Sequence, residues 1–436
     1  MKLAVIGCGY LGAVHAAAMP SVGHETVGID IDEARLALLS SGRTPFYEPG
    51  FDELLREQVD SGRLSFSSDF THVADADVVF LAVGTPQTDG SNAADLRYVR
   101  AAVESLKPHI GQHTLIAGKS TVPVGTAQEV SETIAATGAR LLWNPEFLRE
   151  GFAVQDTLDP DRLVYGIAAG DDASVEKLDS VYRTILDKGT PRIVTDYATA
   201  ELVKVSANAF LATKISFINA MAEIAERVGA DVTELADAIG IDNRIGRRFL
   251  NSGLGFGGGC LPKDIRAFQA QAAEVGAGQS LRFLEEVDLV NLRRRDRGVE
   301  LARQHADALG SKRIAMLGLS FKPNSDDVRD SAPLEIAARL TAKGYGVTAY
   351  DPKARETAGR VRPELDIRDS LADAVKAADV IFLGTEWDEF RQIDPAQLDT
   401  PAKVVIDGRN VLDREAWTAA GFTVVAFGRR TLGAQQ

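Results

Sequence analysis

The stretch that most restricts the fold lies at the front of the chain. Leu3-Ala4-Val5-Ile6 is a short apolar run. Gly7-Cys8-Gly9-Tyr10-Leu11-Gly12 fits G-x-G-x-x-G, Ala13–Val22 is helix-like, and Thr26–Ile29 reads as a second strand ending at Asp30. A strand that turns through three glycines into a helix, and then into a strand ending in an acid, is the opening of a doubly wound α/β sheet. Gly7, Gly9 and Gly12 permit the tight turn and the close approach of a pyrophosphate to the helix N-terminus, with Tyr10 and Leu11 between them. Asp30 is positioned to accept hydrogen bonds from ribose hydroxyls, which favours NAD over NADP, while Arg35 is the nearby residue able to meet a 2′-phosphate.

Further buried-strand runs follow, each ending in polar residues. Ala76–Val83 ends at Gly84-Thr85-Pro86, Leu115–Ala117 at Lys119-Ser120-Thr121-Val122-Pro123, and Leu141–Trp143 at Asn144-Pro145-Glu146-Phe147-Leu148-Arg149-Glu150-Gly151. Ligands of open α/β sheets bind at such strand ends. The last third repeats the pattern. Lys312–Leu319 reads as a strand then a glycine turn, Gly346–Tyr350 ends at Asp351, and Ala378–Gly384 echoes Ala76–Ala82. Without G-x-G-x-x-G this half is not expected to bind a second dinucleotide, and Asp351 reads as a remnant or a structural cap. Between the halves, Ala198–Val228 and Gln279–Leu309 carry helical periodicity. The run Arg293-Arg294-Arg295-Asp296-Arg297 reads as a solvated helix face. The expected fold is therefore α/β: two Rossmann-like doubly wound domains, 1–196 and 310–436, with a helical central domain, 197–309, whose long helix is a natural dimer surface.

Composition narrows the function. The 436 residues have a net charge of −14, which argues against a general nucleic-acid or membrane-surface binder. No apolar run approaches the ~18 residues of a membrane span. The chain runs from Met1-Lys2 straight into the first strand, with no signal peptide, and its two cysteines make no disulfide framework, so the cytoplasm is the expected location. The six histidines are scattered without ligand spacing, and no metal is expected. Gly255-Phe256-Gly257-Gly258-Gly259-Cys260-Leu261-Pro262-Lys263-Asp264 carries the chemistry. A cysteine beside a cation at a helix start has the setting of a nucleophile, whereas Cys8 lies in the cofactor turn.

Together these motifs resemble the UDP-glucose/GDP-mannose dehydrogenase family. The resemblance spans nearly the whole chain. It includes Phe46-Tyr47-Glu48-Pro49-Gly50, Asn144–Gly151, Glu201–Asn208, the cysteine segment, Phe321-Lys322-Pro323 and Asp407-Gly408-Arg409. It implies oxidation of a sugar C6 alcohol to a carboxylate with two NAD⁺ and one water, through a Cys260 thiohemiacetal and thioester. Lys204 and Asn208, spaced i and i+4, would then stabilise an oxyanion. Asp264 or Glu146 would activate water, with Thr121 helping to hold it. The resemblance places Phe147, Leu148, Arg149, Glu150, Phe249, Leu250, Asn251, Gly253, Phe256, Gly257, Lys322 and Arg409 around the sugar nucleotide. Arg244 would cross a homodimer to the diphosphate. For NAD it adds Gly84, Thr85, Thr121, Glu150, Lys263 and Arg329.

Phe46–Gly50 follows the UDP-glucose pattern, whereas Leu261 stands where many UDP-glucose members carry Phe and also occurs in the GDP-mannose branch. UDP-glucose is the favoured substrate, with GDP-mannose or a UDP-N-acetylhexosamine as alternatives. A two-electron hydroxyacid dehydrogenase would leave the Gly257–Cys260 run unexplained, and a non-catalytic NAD sensor would bind NAD without reducing it with any sugar nucleotide.

Overall fold

The computed structural model describes residues 1–433. The chain forms two compact units, one of residues 1–207 and 266–278, the other of 208–265 and 279–436. In the first, eight strands form one sheet: β1 (Lys2–Ile6), β2 (Glu25–Ile29), β3 (Leu64–Ser67), β4 (Val78–Leu81), β5 (Leu115–Gly118), β6 (Arg140–Trp143), β7 (Leu163–Ile167) and β8 (Arg192–Asp196). Their order is 3-2-1-4-5-6-7-8, parallel except where β7 runs against β6. β4 and β5 are buried throughout, as strands covered by helices on both faces must be.

The second unit repeats the scheme with β9 (Arg313–Leu317), β10 (Gly346–Tyr350), β11 (Asp366–Ile367), β12 (Val380–Leu383), β13 (Val404–Asp407) and β14 (Thr423–Ala426). Their order, 11-10-9-12-13-14, matches that of the first six strands, so the echo of Ala76–Ala82 in Ala378–Gly384 marks equivalent strands, β4 and β12. Asp351 is a cap. Its carboxylate accepts from the N–H groups of Leu319, Ser320, Lys353 and Ala354 and from the Trp387 indole.

The arginine run is a solvated face only in part: Arg293 and Asp296 are exposed, but Arg294 and Arg295 turn inward. Successive helix residues are rotated by about 100°, so a run of five must turn part of itself inward. In the helix Phe283–Ala308, Arg294 and Arg295 are buried. Arg295 is paired with Asp330 (2.7 Å) and Glu335 (2.5 Å), and Arg294 lies 3.7 Å from Glu226 and 4.8 Å from the Phe427 ring.

The long helix Tyr197–Val228 is tied to its surroundings near its start by Glu201. The buried Glu201 carboxylate accepts from the N–H of Gly125 (2.8 Å) and of Ala127 (2.6 Å), at the head of the helix Thr126–Ile134. Burial pushes this carboxyl up to about 7 against the downward pull of those donors. A folded-state value above the unfolded one means that its stabilisation is complete below about pH 4.5 and is lost as the pH rises through about 7. Glu201→Gln, which does not titrate, should flatten the fall in Tm over that window. A wild-type Tm profile as flat as the variant's would contradict the assignment.

Candidate active site

Parallel register brings the strand ends of the first unit to one edge. Ile6 lies beside Ile29 and Leu81, Leu81 beside Gly118, and Gly118 beside Trp143. At the glycine turn, a Cβ on Gly12 would overlap the Gly7 carbonyl, so helix and strand meet only because that side chain is missing. The helix Tyr10–Ser21 begins after Gly9 with no side chain capping it, leaving its first N–H groups for an anion. Beneath the turn, buried Asp30 accepts from Cys8 N (2.7 Å) and Asp32 N (3.0 Å). These features fit a dinucleotide. Arg35 is held between Asp30 (2.9 Å) and Asp32 (3.2 Å), so it is already committed to carboxylates. Cys8 is buried and its thiol is pushed far up by burial, which removes it as a nucleophile.

Two clasps grip the loop after β6. The first is Glu48, whose carboxylate accepts from the Tyr10 hydroxyl, from Gly151 N (2.6 Å) and from Ala153 N (2.7 Å). Phe46 packs on the Tyr10 ring at 4.7 Å. The motif Phe46–Gly50 thus joins the cofactor turn to the Asn144–Gly151 loop. The second is Lys119, 3% exposed, whose ammonium meets Glu146 Oε2 (2.9 Å) and donates to Asn144 Oδ1 (3.0 Å) and the Tyr182 hydroxyl (3.3 Å). Glu146 Oε1 accepts from the N–H of Phe147 (2.8 Å) and Leu148 (3.1 Å), so both carboxylate oxygens are engaged. Thr85 donates to the Thr121 carbonyl at 2.7 Å, linking the β4 and β5 ends beside exposed Gly84. Glu150 is buried and Leu148 partly so. Arg149 closes on Asp156 (2.6 and 2.9 Å), while the Phe147 ring carries Arg162 at 3.8 Å and Lys204 at 5.4 Å.

In the second unit the backbone leading to Cys260 is held almost residue by residue. Gly253 N donates to Asn219 Oδ1 (2.9 Å), and Gly253 O accepts from Arg294 (3.1 Å). Asn291 pairs with both the N–H (2.7 Å) and the carbonyl (3.0 Å) of Phe256, and Arg409 donates to Gly255 O (3.1 Å). Gly255 has φ +87°, and a Cβ there would overlap Asn291 Oδ1. Gly258 N donates to the Arg329 carbonyl (2.9 Å), and the Arg329 guanidinium, paired with Asp327, lies against Gly259. Cys260 is exposed at the head of the helix Leu261–Glu274. One turn on, Asp264 donates its N–H to Cys260 O (2.9 Å), accepts from Asn208 Nδ2 (2.6 Å) and lies 2.7 Å from the Lys263 ammonium.

The remaining expected residues fall differently. Leu250 and Phe256 are buried, Leu250 in a cluster with Ile218 and Ala222. Asn251 is exposed and accepts from Arg247 (2.8 Å), Lys322 lies 5.3 Å over Phe321, and Arg244, 89% exposed, is closed on Asp242 (2.6 Å). Arg409 also donates to Gly384 O (2.7 Å) and meets Glu386 (3.3 Å), so its guanidinium stitches the glycine segment to the second sheet. Sequence reasoning passed over Glu48 and Lys119 as motif letters and missed Asn219, Asn291, Arg294 and Arg162. A lone amide within a charged helix was the available signal for Asn291.

Comparison with known proteins places the chain in a family. The NAD binding domain of the UDP-glucose/GDP-mannose dehydrogenase family matches residues 1–186, its central domain 198–293 and its UDP binding domain 315–414. The chain belongs to this family. A UDP-glucose 6-dehydrogenase of Rhizobium meliloti is 41% identical over 98% of this chain and 100% of its own, and the Bacillus subtilis UDP-glucose 6-dehydrogenase TuaD is 39% identical over 98% and 93%. A UDP-glucose dehydrogenase structure from Pyrobaculum islandicum superposes with a TM-score of 0.88 at 36% identity, covering 98% of both chains. A UDP-D-ManNAc dehydrogenase from Pyrococcus horikoshii gives 0.84 at 25% identity, over 98% of this chain and 99% of that one.

Within this family member the pairing of buried Lys119 with the partly buried Glu146 makes a checkable demand. Lys119→Met leaves a carboxylate facing an apolar group and should cost ~3–5 kcal/mol of stability. Glu146→Gln in the same background should return a substantial part, since the amide still accepts from Phe147 N and Leu148 N. Chemical denaturation of the single and double variants measures both, and additive losses would contradict the pair.

Proposed function

We propose that this enzyme oxidises UDP-glucose to UDP-glucuronate in two NAD-dependent steps. The observation that carries the reading is the exposed Cys260 at the end of a glycine segment tethered at most of its residues, one helical turn from an Asp264–Asn208 pair. The relatives at 39–41% identity named for UDP-glucose favour that substrate over the N-acetylated sugar of the structure at 25%. NAD⁺, one molecule for each oxidation, would supply the two-electron acceptor. Asp30 and the N–H groups after Gly9 would hold it, with Thr85 and Thr121 at the neighbouring strand ends.

In this reading the C6 hydroxyl proton leaves to a base and the developing oxyanion is met by Lys204 and Asn208. Cys260 Sγ then bonds to the aldehyde carbon, giving a thiohemiacetal. The second oxidation turns this into a thioester, and water breaks the C–S bond, releasing the carboxylate and regenerating the thiol. Asp264 is taken as the water-activating group because it lies one helical turn from Cys260, although its oxygens, like those of Glu146, are engaged, by Asn208 and Lys263. Glu146 serves as a fixed carboxylate.

Residues 1–196 form the cofactor domain in this account, 197–309 the central domain and 310–436 the sugar-nucleotide domain. A homodimer is supported by Phe210, Phe217 and Ile224, spaced by seven on the long helix and 66%, 49% and 53% exposed. Arg244 on its exposed loop is the residue to reach the partner's diphosphate. Two free cysteines fit a reducing cytoplasm.

The test is stoichiometry. Two NADH should form per UDP-glucose consumed, and Cys260→Ser should still bind NAD while its carboxylate yield falls by about a thousandfold or more. One NADH per sugar, or full turnover by the variant, would sink the reading.

A further inference from the structure

We infer that Arg162 is a positioning residue for the reaction proposed above, acting through Phe147 on both Lys204 and Glu146. Two arginines flank this loop, and the structure gives them opposite fates. Arg149 is neutralised by Asp156, with 2.6 and 2.9 Å contacts. Arg162 has no hydrogen bond or ion pair among the described residues. Its guanidinium carbon lies 3.8 Å from the centre of the Phe147 ring, a close contact in which a planar guanidinium and a lysine ammonium are not interchangeable.

Phe147 is where the two halves of the proposed machinery in this unit meet. Its ring is the seat of the Lys204 ammonium at 5.4 Å, and its backbone N–H donates to Glu146 Oε1 at 2.8 Å. The other Glu146 oxygen is fixed by Lys119 at 2.9 Å. Lys119, Glu146, Phe147 and Arg162 line one small cavity. Rotation of the Phe147 ring would therefore move the oxyanion partner and strain the backbone that pins the carboxylate. Arg162 holds the ring by stacking on it. A residue that sets the geometry of reacting groups without binding substrate should act on kcat rather than on KM.

The inference rests on the proposed reaction, and steady-state kinetics with UDP-glucose and NAD separate the two. Arg162→Ala and Phe147→Leu should each lower kcat by about tenfold, and for Arg162→Ala both KM values should change by less than about threefold. The double variant should be no slower than the worse single variant by more than about twofold, because both remove one stack. Arg162→Lys should stay as slow as Arg162→Ala. Arg162→Gln, with a flat amide, should recover part of the rate, and it carries the test if Arg162→Ala fails to fold. Multiplicative losses, or a raised KM for UDP-glucose at unchanged kcat, overturn the positioning role. Wild-type protein that forms no NADH with any sugar nucleotide overturns the reaction itself, and the role with it.

Discussion

Everything proposed for Cys260 depends on how the backbone from Gly253 to Gly258 is held. A chain segment with so many glycines has the greatest conformational freedom to lose on folding, so its order must come from outside it. Here side chains supply it. Asn219 and Arg294 take Gly253, Asn291 forms a two-bond pair with Phe256, and Arg409 takes Gly255. The glycines are required for the grip as much as for the turn, since a Cβ at Gly255 would occupy the place of the Asn291 amide oxygen. The cysteine is thereby delivered, exposed, at a fixed helix start.

The first unit solves a related problem by burying charge. The loop after β6 carries the candidate carboxylate, aromatic ring and cations, and loops of this kind are positioned by what lies beneath them. Lys119 beneath Glu146, and Glu48 beneath Gly151 and Tyr10, are polar groups taken out of water and fully partnered, an arrangement that specifies one geometry at the expense of tolerance to change. The same clasp by Glu48 couples the glycine turn of the cofactor site to the loop proposed to meet the sugar.

Much of this was legible in the chain because it depends on local rules. Apolar runs ending in glycine or polar residues marked the strands, Gly7–Gly12 with Asp30 marked the cofactor turn, and the echo of Ala76–Ala82 in Ala378–Gly384 marked the repeated sheet. What escaped were partnerships between residues distant in sequence. Arg294 and Arg295 looked solvated because a charge run says nothing about the acids waiting on other elements, here Glu226, Asp330 and Glu335. Arg149 and Arg162 are alike as letters, and only the position of Asp156 decides which is spent on a carboxylate and which stacks on Phe147. Lys119 was visible within its motif, but a buried lysine declares its role only when Glu146, Asn144 and Tyr182 are seen around it.

The central claim is that Cys260, held by this tethered segment, becomes covalently bonded to the sugar. Acid-quenched mixtures of enzyme, NAD⁺ and UDP-glucose, taken for the wild type and for Asp264→Asn, can be read directly by peptide mass spectrometry. The account predicts a UDP-glucuronyl thioester on the peptide containing Cys260, more abundant in the Asp264 variant and released by hydroxylamine. An unmodified Cys260 peptide throughout, while UDP-glucuronate accumulates, would contradict it.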